Sequence, residues 1–574
     1  MSGKRGLNSR AAKRRSRKPV NDIDPLLGRA SAAAAQGAWT EADHILGQAI
    51  ALNPDNADLH HNRAEIQLAA GDTASALFGF CRALSLNHGL TASAERLANL
   101  LGRVTPAETD VLEPAGLAAA FRHEGIDHDA IARAAFARLV DTEPLRDLLA
   151  AGRGGDWQRA ADNLLGPRGR EAVRDPLFLG ALRHGICRQP SLERLLTAVR
   201  RQLLVSGAGE LMRDKPLSAF ACALAHQCLN NEYVFSVSDT ERRALSELRG
   251  DEASLLLSLY MDPETLLSAP GVPEVERLRP RALRDLVRDR VETRAEERAL
   301  AGTVAILDPI TDPVSKDVAD QYESNPYPRW LTVTAPAAGS KRNHIAKVLD
   351  GLPAVANGTD TLAFFDRPFD VLVAGCGTGR HAIQAALAYR PYGRVTAIDL
   401  SRASLAYGMR MVRRLGVTNV DFLQADILSI GGCGRRFAII ESAGALHHMA
   451  EPLKGWRSLA DALEPGGLMF IGLYSERGRD HIKRLRGKTG FSRPVTDDDI
   501  RSFRAHLLKG AFGKDGERVL NGTDFYTLSA CRDLLFHVQE HRFTMEGLES
   551  AMNSLGHEHT RYYIQEYGRG LSDQ

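Results

Sequence analysis

The sequence predicts a multidomain protein, with an all-helical array over roughly residues 25–300 and an α/β domain with a parallel sheet over 346–574. Three observations carry that reading. A 34-residue period runs through the N-terminal part. A buried strand, a glycine turn and a helix start follow one another from Asp370 to His381. Apolar strand-like runs then alternate with helical stretches as far as Tyr474. At 574 residues the chain is too long for one core. The expected segments are a basic tail over 1–24, the helical array over 25–300, a linker or lid over 301–345 and the α/β domain over 346–574.

The period pairs Gly37 with Gly71, Ala42 with Ala76, Ala49 with Ala83, Leu52 with Leu86 and Asn53 with Asn87. Small residues at helix-crossing positions let paired helices approach closely. Together with Gln36–Asp43 and Ala49–Pro54, the spacing resembles the tetratricopeptide repeat. His88 stands where that family has proline. Apolar spacing continues through Ala115–Phe121 and Ile131–Leu139, so the array is extended to about residue 300. The alternative is two or three repeats joined to an unrelated helical domain. The resemblance implies a groove for a peptide or protein partner, with a spacer or dimerising surface as the equal alternative. The charged run from Glu274 to Glu297 reads as a solvated helix.

Composition excludes several classes. Residues 1–20 hold Lys4, Arg5, Arg10, Lys13, Arg14, Arg15, Arg17 and Lys18 and no acid, which describes a solvated tail. Nucleic acid stays open as a partner through that tail but is not favoured, because the whole chain carries only +2. No apolar core follows the charges, so the tail is not a secretory signal. No run of apolar residues is long enough for a membrane span. Seven scattered cysteines, none in C-x-x-C, predict a reducing cytoplasm without disulfides or a zinc–thiolate site.

The strand–turn–helix at Asp370–His381 and the acid Asp399, which ends the next strand at Arg394–Leu400, make a nucleotide cradle. Glycines let the backbone approach a ligand, and free N–H groups at the helix start face it. Asp399 is placed to accept from both ribose hydroxyls. The glycines at 375, 377 and 379 give G-x-G-x-G, and Arg380 stands where a dinucleotide fingerprint needs its third glycine. A nicotinamide oxidoreductase is therefore disfavoured.

This loop resembles motif I of Rossmann-like class I S-adenosylmethionine-dependent methyltransferases. The likeness continues through Val420–Ile427, Phe437–Met449 and Leu463–Tyr474, as third, fourth and fifth strands in the right order. Gln321–Trp330, with its Asn-Pro-Tyr-Pro-Arg-Trp run, resembles an element that precedes motif I in bacterial methyltransferases containing tetratricopeptide repeats. It is expected as a lid in which Tyr322 and Trp330 pack on the ligand or the glycine loop. A rigid linker whose aromatics fill the seam is the competing reading. Asn325–Pro328 is not the adenine-amino methyltransferase box, because it precedes motif I and its order differs.

S-adenosylmethionine is thus the implied cofactor. Gly375, Gly377 and Gly379 are expected at its methionine end, Asp399 at the ribose, and Asp426 with Ile427 at the adenine. Cys376, Thr378, Leu400 and Ser442 complete the expected binding set, and Cys376 is read as a packing residue. The cofactor brings its own leaving group, so the protein chiefly aligns the acceptor. A base is needed where the acceptor is a hydroxyl or an ammonium. Glu441, His447 and His448, at and after the fourth strand, are the candidates. No metal is expected. His537-x-x-Glu540-His541 matches an inverted zinc-protease pattern, and helical spacing would put Asp533, His537 and His541 on one face, but the context is not a protease fold. The acceptor is expected to be a protein or peptide chosen by the helical half. A non-catalytic repeat scaffold and an RNA methyltransferase are the rivals. The polar end, Leu555–Gln565, departs from the apolar strand expected to finish the sheet.

Overall fold

Two repeated glycines set the geometry of the first helices. Gly37 and Gly71 take left-handed backbone, at φ 73° and 87°, where a side chain is strained. Each closes a turn between two helices, Asp24–Ala35 with Trp39–Leu52 and Ala57–Ala69 with Thr73–Leu86. Ala42, Ala49, Ala76 and Ala83 are fully buried where the helices meet. A side chain at Gly79 would bring its Cβ within 2.8 Å of Ala64 Cβ, so that crossing demands glycine. Asn56 and Asp72 cap the third and fourth helices, accepting from backbone N–H groups of the first turn. This computed structural model describes residues 23–102, 112–250, 253–333, 336, 339–349, 362–488 and 495–555. The basic tail to residue 22 and the polar end from residue 556 lie outside the described residues.

The chain divides into two compact units, Met1–Leu97 with Val111–Ala119, and Ala98–Asp110 with Ala120–Gln574. The helices from residue 120 to Ala301 belong to the same unit as the sheet. The charged run supplies one physical reason. Its helix, Arg281–Ala301, buries Leu283, Leu286, Val287 and Leu300. Glu297 pairs with Arg410 of helix Arg402–Leu415 at 3.0 Å, with both side chains about nine-tenths buried. The run is not a solvated helix throughout.

Among the described residues, the sheet has six parallel strands: β1 (Ala305–Ile306), β2 (Phe369–Ala374), β3 (Gly393–Asp399), β4 (Val420–Gln424), β5 (Phe437–Ala443) and β6 (Leu463–Gly472). Their order is β1-β4-β3-β2-β5-β6. The order reverses between β2 and β5, and in such sheets ligands enter the crevice at the strands' C-terminal ends there. Side chains alternate between two cores. Val371, Val373, Val395, Ala397 and Ile439 join Ala382 and Leu405 on one face. Leu372, Ala374, Ile398 and Ile440 join Trp456, Leu459 and Ala551 on the other. Burial on both faces explains why these strands read as continuous apolar runs. Among the described residues, no helix is long and apolar enough to cross a membrane. All seven cysteines are unpaired.

Candidate functional site

The glycine loop leaves β2 at the crevice and enters helix Arg380–Ala388. Gly375, Gly377 and Gly379 all have positive φ, at 72°, 52° and 84°. Each is also crowded. A Cβ on Gly375 would lie 2.2 Å from Ala445 Cβ, on Gly377 2.4 Å from the Tyr327 carbonyl oxygen, and on Gly379 2.9 Å from the Phe422 ring. The first of these contacts joins the loops after β2 and β5 as the crevice floor. Asp399, at the end of β3, accepts the Gly377 N–H at 2.8 Å and the Ser401 N–H at 3.0 Å. Burial pushes its carboxyl above the ordinary range despite those bonds. Asp426 caps the short helix Ile427–Ile430 by accepting from Leu428 N–H at 3.0 Å. The Leu400 carbonyl accepts from Gln424 at 2.8 Å. Burial pushes the Cys376 thiol well above its usual value, so it packs and is no nucleophile. The acids and glycines singled out in the sequence thus stand at the C-terminal ends of β2, β3 and β4.

The segment after helix Pro313–Ser324 straps across the loop. Thr378 donates its N–H to the Tyr327 carbonyl at 3.1 Å and its hydroxyl to the Pro328 carbonyl at 2.6 Å. The Trp330 indole donates to Thr378 Oγ1 at 2.9 Å. Glu323 accepts from Ser401 Oγ and Ala403 N–H at 3.0 Å, beside Asp399. Trp330 therefore packs on the glycine loop, while Tyr322 reaches toward the C-terminal segment.

Glu441 is corrected as a candidate base. It lies on the face shared with helix Arg380–Ala388 and accepts from His381 at 2.6 Å and Tyr389 at 2.7 Å, with Lys341 at 3.0 Å. Despite the opposing cost of burial, these partners pull its carboxyl down to about 2. A carboxylate so held anchors structure. His447 and His448 are buried in a short 3₁₀ turn, Leu446–His448. Burial holds His447 well below the ordinary imidazole value and His448 down to about 4. Both stay neutral, but the expected match to neutral pH is absent.

The C-terminal motif is also rearranged. Helix Leu528–Phe536 stops before His537, so Asp533, His537 and His541 do not share a helical face. His537 Nδ1 accepts the Gln539 N–H at 3.1 Å, a side-chain bond that competes with helix. Glu540 is taken by Arg479 at 2.5 Å and by Arg486 and Arg542 at 3.2 Å. His448, Asp533 and His537 offer ligand atoms within 4.8 Å of one another. The His448 and His537 rings, however, stack at 3.6 Å between centroids, 21° from parallel. Near-parallel rings that far apart cannot both direct an in-plane lone pair at one ion, and His537 Nε2 carries the proton.

The crevice suits an adenosyl sulfonium on observations of its own. Ala443 and Gly444 are exposed at the end of β5, and a Cβ on Gly444 would meet nothing within 4 Å. The buried Ser442 hydroxyl and both His447 ring nitrogens have no hydrogen-bond partner among the described residues. Buried polar groups normally have partners, so these atoms are available to a bound polar group.

Residues 371–467 match a family described as methyltransferase domain. The chain carries a class I S-adenosylmethionine-dependent methyltransferase domain. An uncharacterized protein of Synechococcus sp. is 35% identical over 117 residues, covering 20% of this chain and 28% of that protein. The ubiquinone/menaquinone biosynthesis C-methyltransferase UbiE of Vibrio campbellii is 27% identical over 197 residues, covering 34% of this chain and 66% of that enzyme. The chain thus spans less than two thirds of the length of either curated relative. A solved structure of PKMT2 from Rickettsia typhi with AdoHcy is 19% identical over 32% of this chain and 38% of that one, with a TM-score of 0.27.

The sequence did not single out Lys341, His381 or Tyr389 as partners of Glu441, nor Glu323 beside Asp399. His381 stands two residues past the last loop glycine and Glu323 inside the proline element, but neither position states its partner.

Proposed function

We propose that the protein transfers a methyl group from S-adenosylmethionine to a protein or peptide acceptor selected by its helical repeats. The observation that carries the cofactor half is the 2.8 Å bond from Gly377 N–H to Asp399 at the β2/β5 crevice. It ties the glycine loop and the ribose acid into one cradle. Gly375, Gly377 and Gly379 line the methionine end, Asp399 the ribose, and Asp426 and Ile427 the adenine. When bound, the cofactor supplies an activated methyl and its leaving group. The chain's part is to orient the acceptor, exclude water and accept a proton.

The acceptor half is supported by the paired helices and their 34-residue period, an arrangement that serves peptide recognition. Seven unpaired cysteines favour a reducing, cytoplasmic setting. Calorimetry with S-adenosylhomocysteine tests the cofactor half. Asp399→Ala should weaken binding on the order of 100-fold, the loss of a charged hydrogen-bond acceptor to two hydroxyls. Uptake of NAD with indifference to S-adenosylhomocysteine would overturn it. The acceptor half fails if deleting the gene changes no methyl mark on any protein.

A further inference from the structure

Resting on the methyltransferase reading, we propose that Tyr322 is the catalytic group that takes the acceptor's proton, that Asp533 receives it through Tyr322, and that the acceptor reacts through a neutral hydroxyl.

The bond pattern fixes a direction. His537 Nδ1 accepts the Gln539 N–H, so its proton sits on Nε2 and is donated to Tyr322 Oη at 3.0 Å. Tyr322 donates its own proton to Asp533 Oδ1 at 2.6 Å. A phenolic oxygen has one proton and two lone pairs. One lone pair takes the His537 proton, and the other is left for one further donor. That suits a single O–H.

The chain of bonds spans the crevice mouth. On one side, Tyr322 precedes Glu323, which bonds Ser401 beside Asp399, and stacks on Tyr327, whose carbonyl abuts Gly377. On the other, His537 stacks on His448, in the turn that begins after Ala445, the residue against Gly375. His448 Nδ1 donates to the Gln539 carbonyl at 2.6 Å, so one backbone unit holds both rings. Asp533 and His537 are buried, and Tyr322 is half-buried.

Charge selects the acceptor class. Arg479 stacks 4.0 Å over the Tyr474 ring, which itself stacks on His447. Arg479 and Arg486 both act on Asp533. Both guanidiniums are paired with Glu540. An aliphatic amine arrives as an ammonium with no lone pair to attack, whereas a neutral hydroxyl keeps its own. In the reaction, the acceptor's O–H bond breaks and its electron pair forms the O–CH₃ bond, in exchange for the carbon–sulfur bond, whose pair stays on sulfur. The released proton lands on Tyr322 Oη as Tyr322's own proton passes to Asp533, which holds it. Asp533 suits this role: burial pushes its carboxyl up to about 6, close to working pH. The other groups around it are Tyr322, His537, Tyr474, Asp524 and Glu540. Asp533 and His537 are positioning residues, because they act through Tyr322.

The test compares wild type with Tyr322→Phe and Asp533→Asn in three readouts. Infrared titration without cofactor should show a carboxyl protonating near pH 6, lost in D533N and moved upward in Y322F. Calorimetry should give S-adenosylhomocysteine affinities close to wild type for both. Transfer of tritiated methyl from S-adenosylmethionine into lysate of a strain lacking the gene should fall about 100-fold or more in both variants. The wild-type rate should also decline as pH drops through about 6, with partial rescue by Asp533→Glu. Wild-type rate and pH profile in Y322F would reduce the chain to a structural tie. Label found on amines would overturn the acceptor class. Should Y322F not fold, the infrared titration of wild type decides: no carboxyl titrating near pH 6 overturns the relay. Wild type that binds no S-adenosylhomocysteine or labels nothing refutes the methyltransferase reading itself, and this one with it.

Discussion

Glu441 and Asp533 are both buried carboxylates, yet their surroundings drive them in opposite directions. Glu441 is surrounded by His381, Tyr389 and Lys341 and is drawn down to about 2. Asp533 has one close donor, the Tyr322 hydroxyl, and burial lifts it to about 6. Burial costs each of them; the number of partners decides the sign. A carboxylate held by three partners is an anchor. One with a single donor retains a proton equilibrium that chemistry can use. Position after the fourth strand drew attention to Glu441, but position does not report partners.

Opposite shifts impose opposite slopes on stability against pH, and that is the sharpest way to break the comparison. Glu441 is depressed, so its contribution is present above about pH 4.5 and is lost as pH falls toward about 2. Glu441→Gln should cost about 3 kcal/mol at pH 7 and progressively less toward pH 2, read by denaturant unfolding. A flat difference across that range would show that the clamp is not electrostatic. Asp533 is raised, so the folded state holds a proton that the unfolded chain releases. Its contribution is present below about pH 4 and is lost as pH rises through about 6. Relative to wild type, Asp533→Asn should therefore gain about 2 kcal/mol between pH 4 and pH 8. A purely steric change gives the smallest effect. Gly379→Ala, at φ 84° and 2.9 Å from Phe422, should cost about 1–2 kcal/mol at every pH. Any pH dependence there would mean that the loop reports on one of the acids.

The parts of this fold that are legible in sequence are those set by short-range chemistry. Strands β2, β3 and β5 lie where the apolar runs place them, because a doubly covered parallel strand needs nothing but apolar side chains. The glycine positions were legible because positive φ and close approach leave little choice of residue. What escaped is long-range or competitive. Tyr322 and Asp533 are separated by 211 residues, and no local pattern pairs them. The helical face through Asp533, His537 and His541 failed because His537 spends its ring nitrogen on Gln539 N–H and the helix ends at Phe536. The charged helix Arg281–Ala301 looked solvated because the sequence does not reveal the Arg410 that neutralises Glu297.

Thr378 engages three groups of the strap, and one of them is an indole. Trp330 is buried, with its N–H on Thr378 Oγ1, so the emission of a native fluorophore is set one hydrogen bond away from the loop that cradles the nucleotide. Arg329, the residue before it, reaches back to the Asn230 carbonyl at 3.0 Å. A shift of the glycine loop is therefore mechanically continuous with both an optical gauge and the helical shell behind the sheet, and the molecule carries its own readout of whether the crevice is filled.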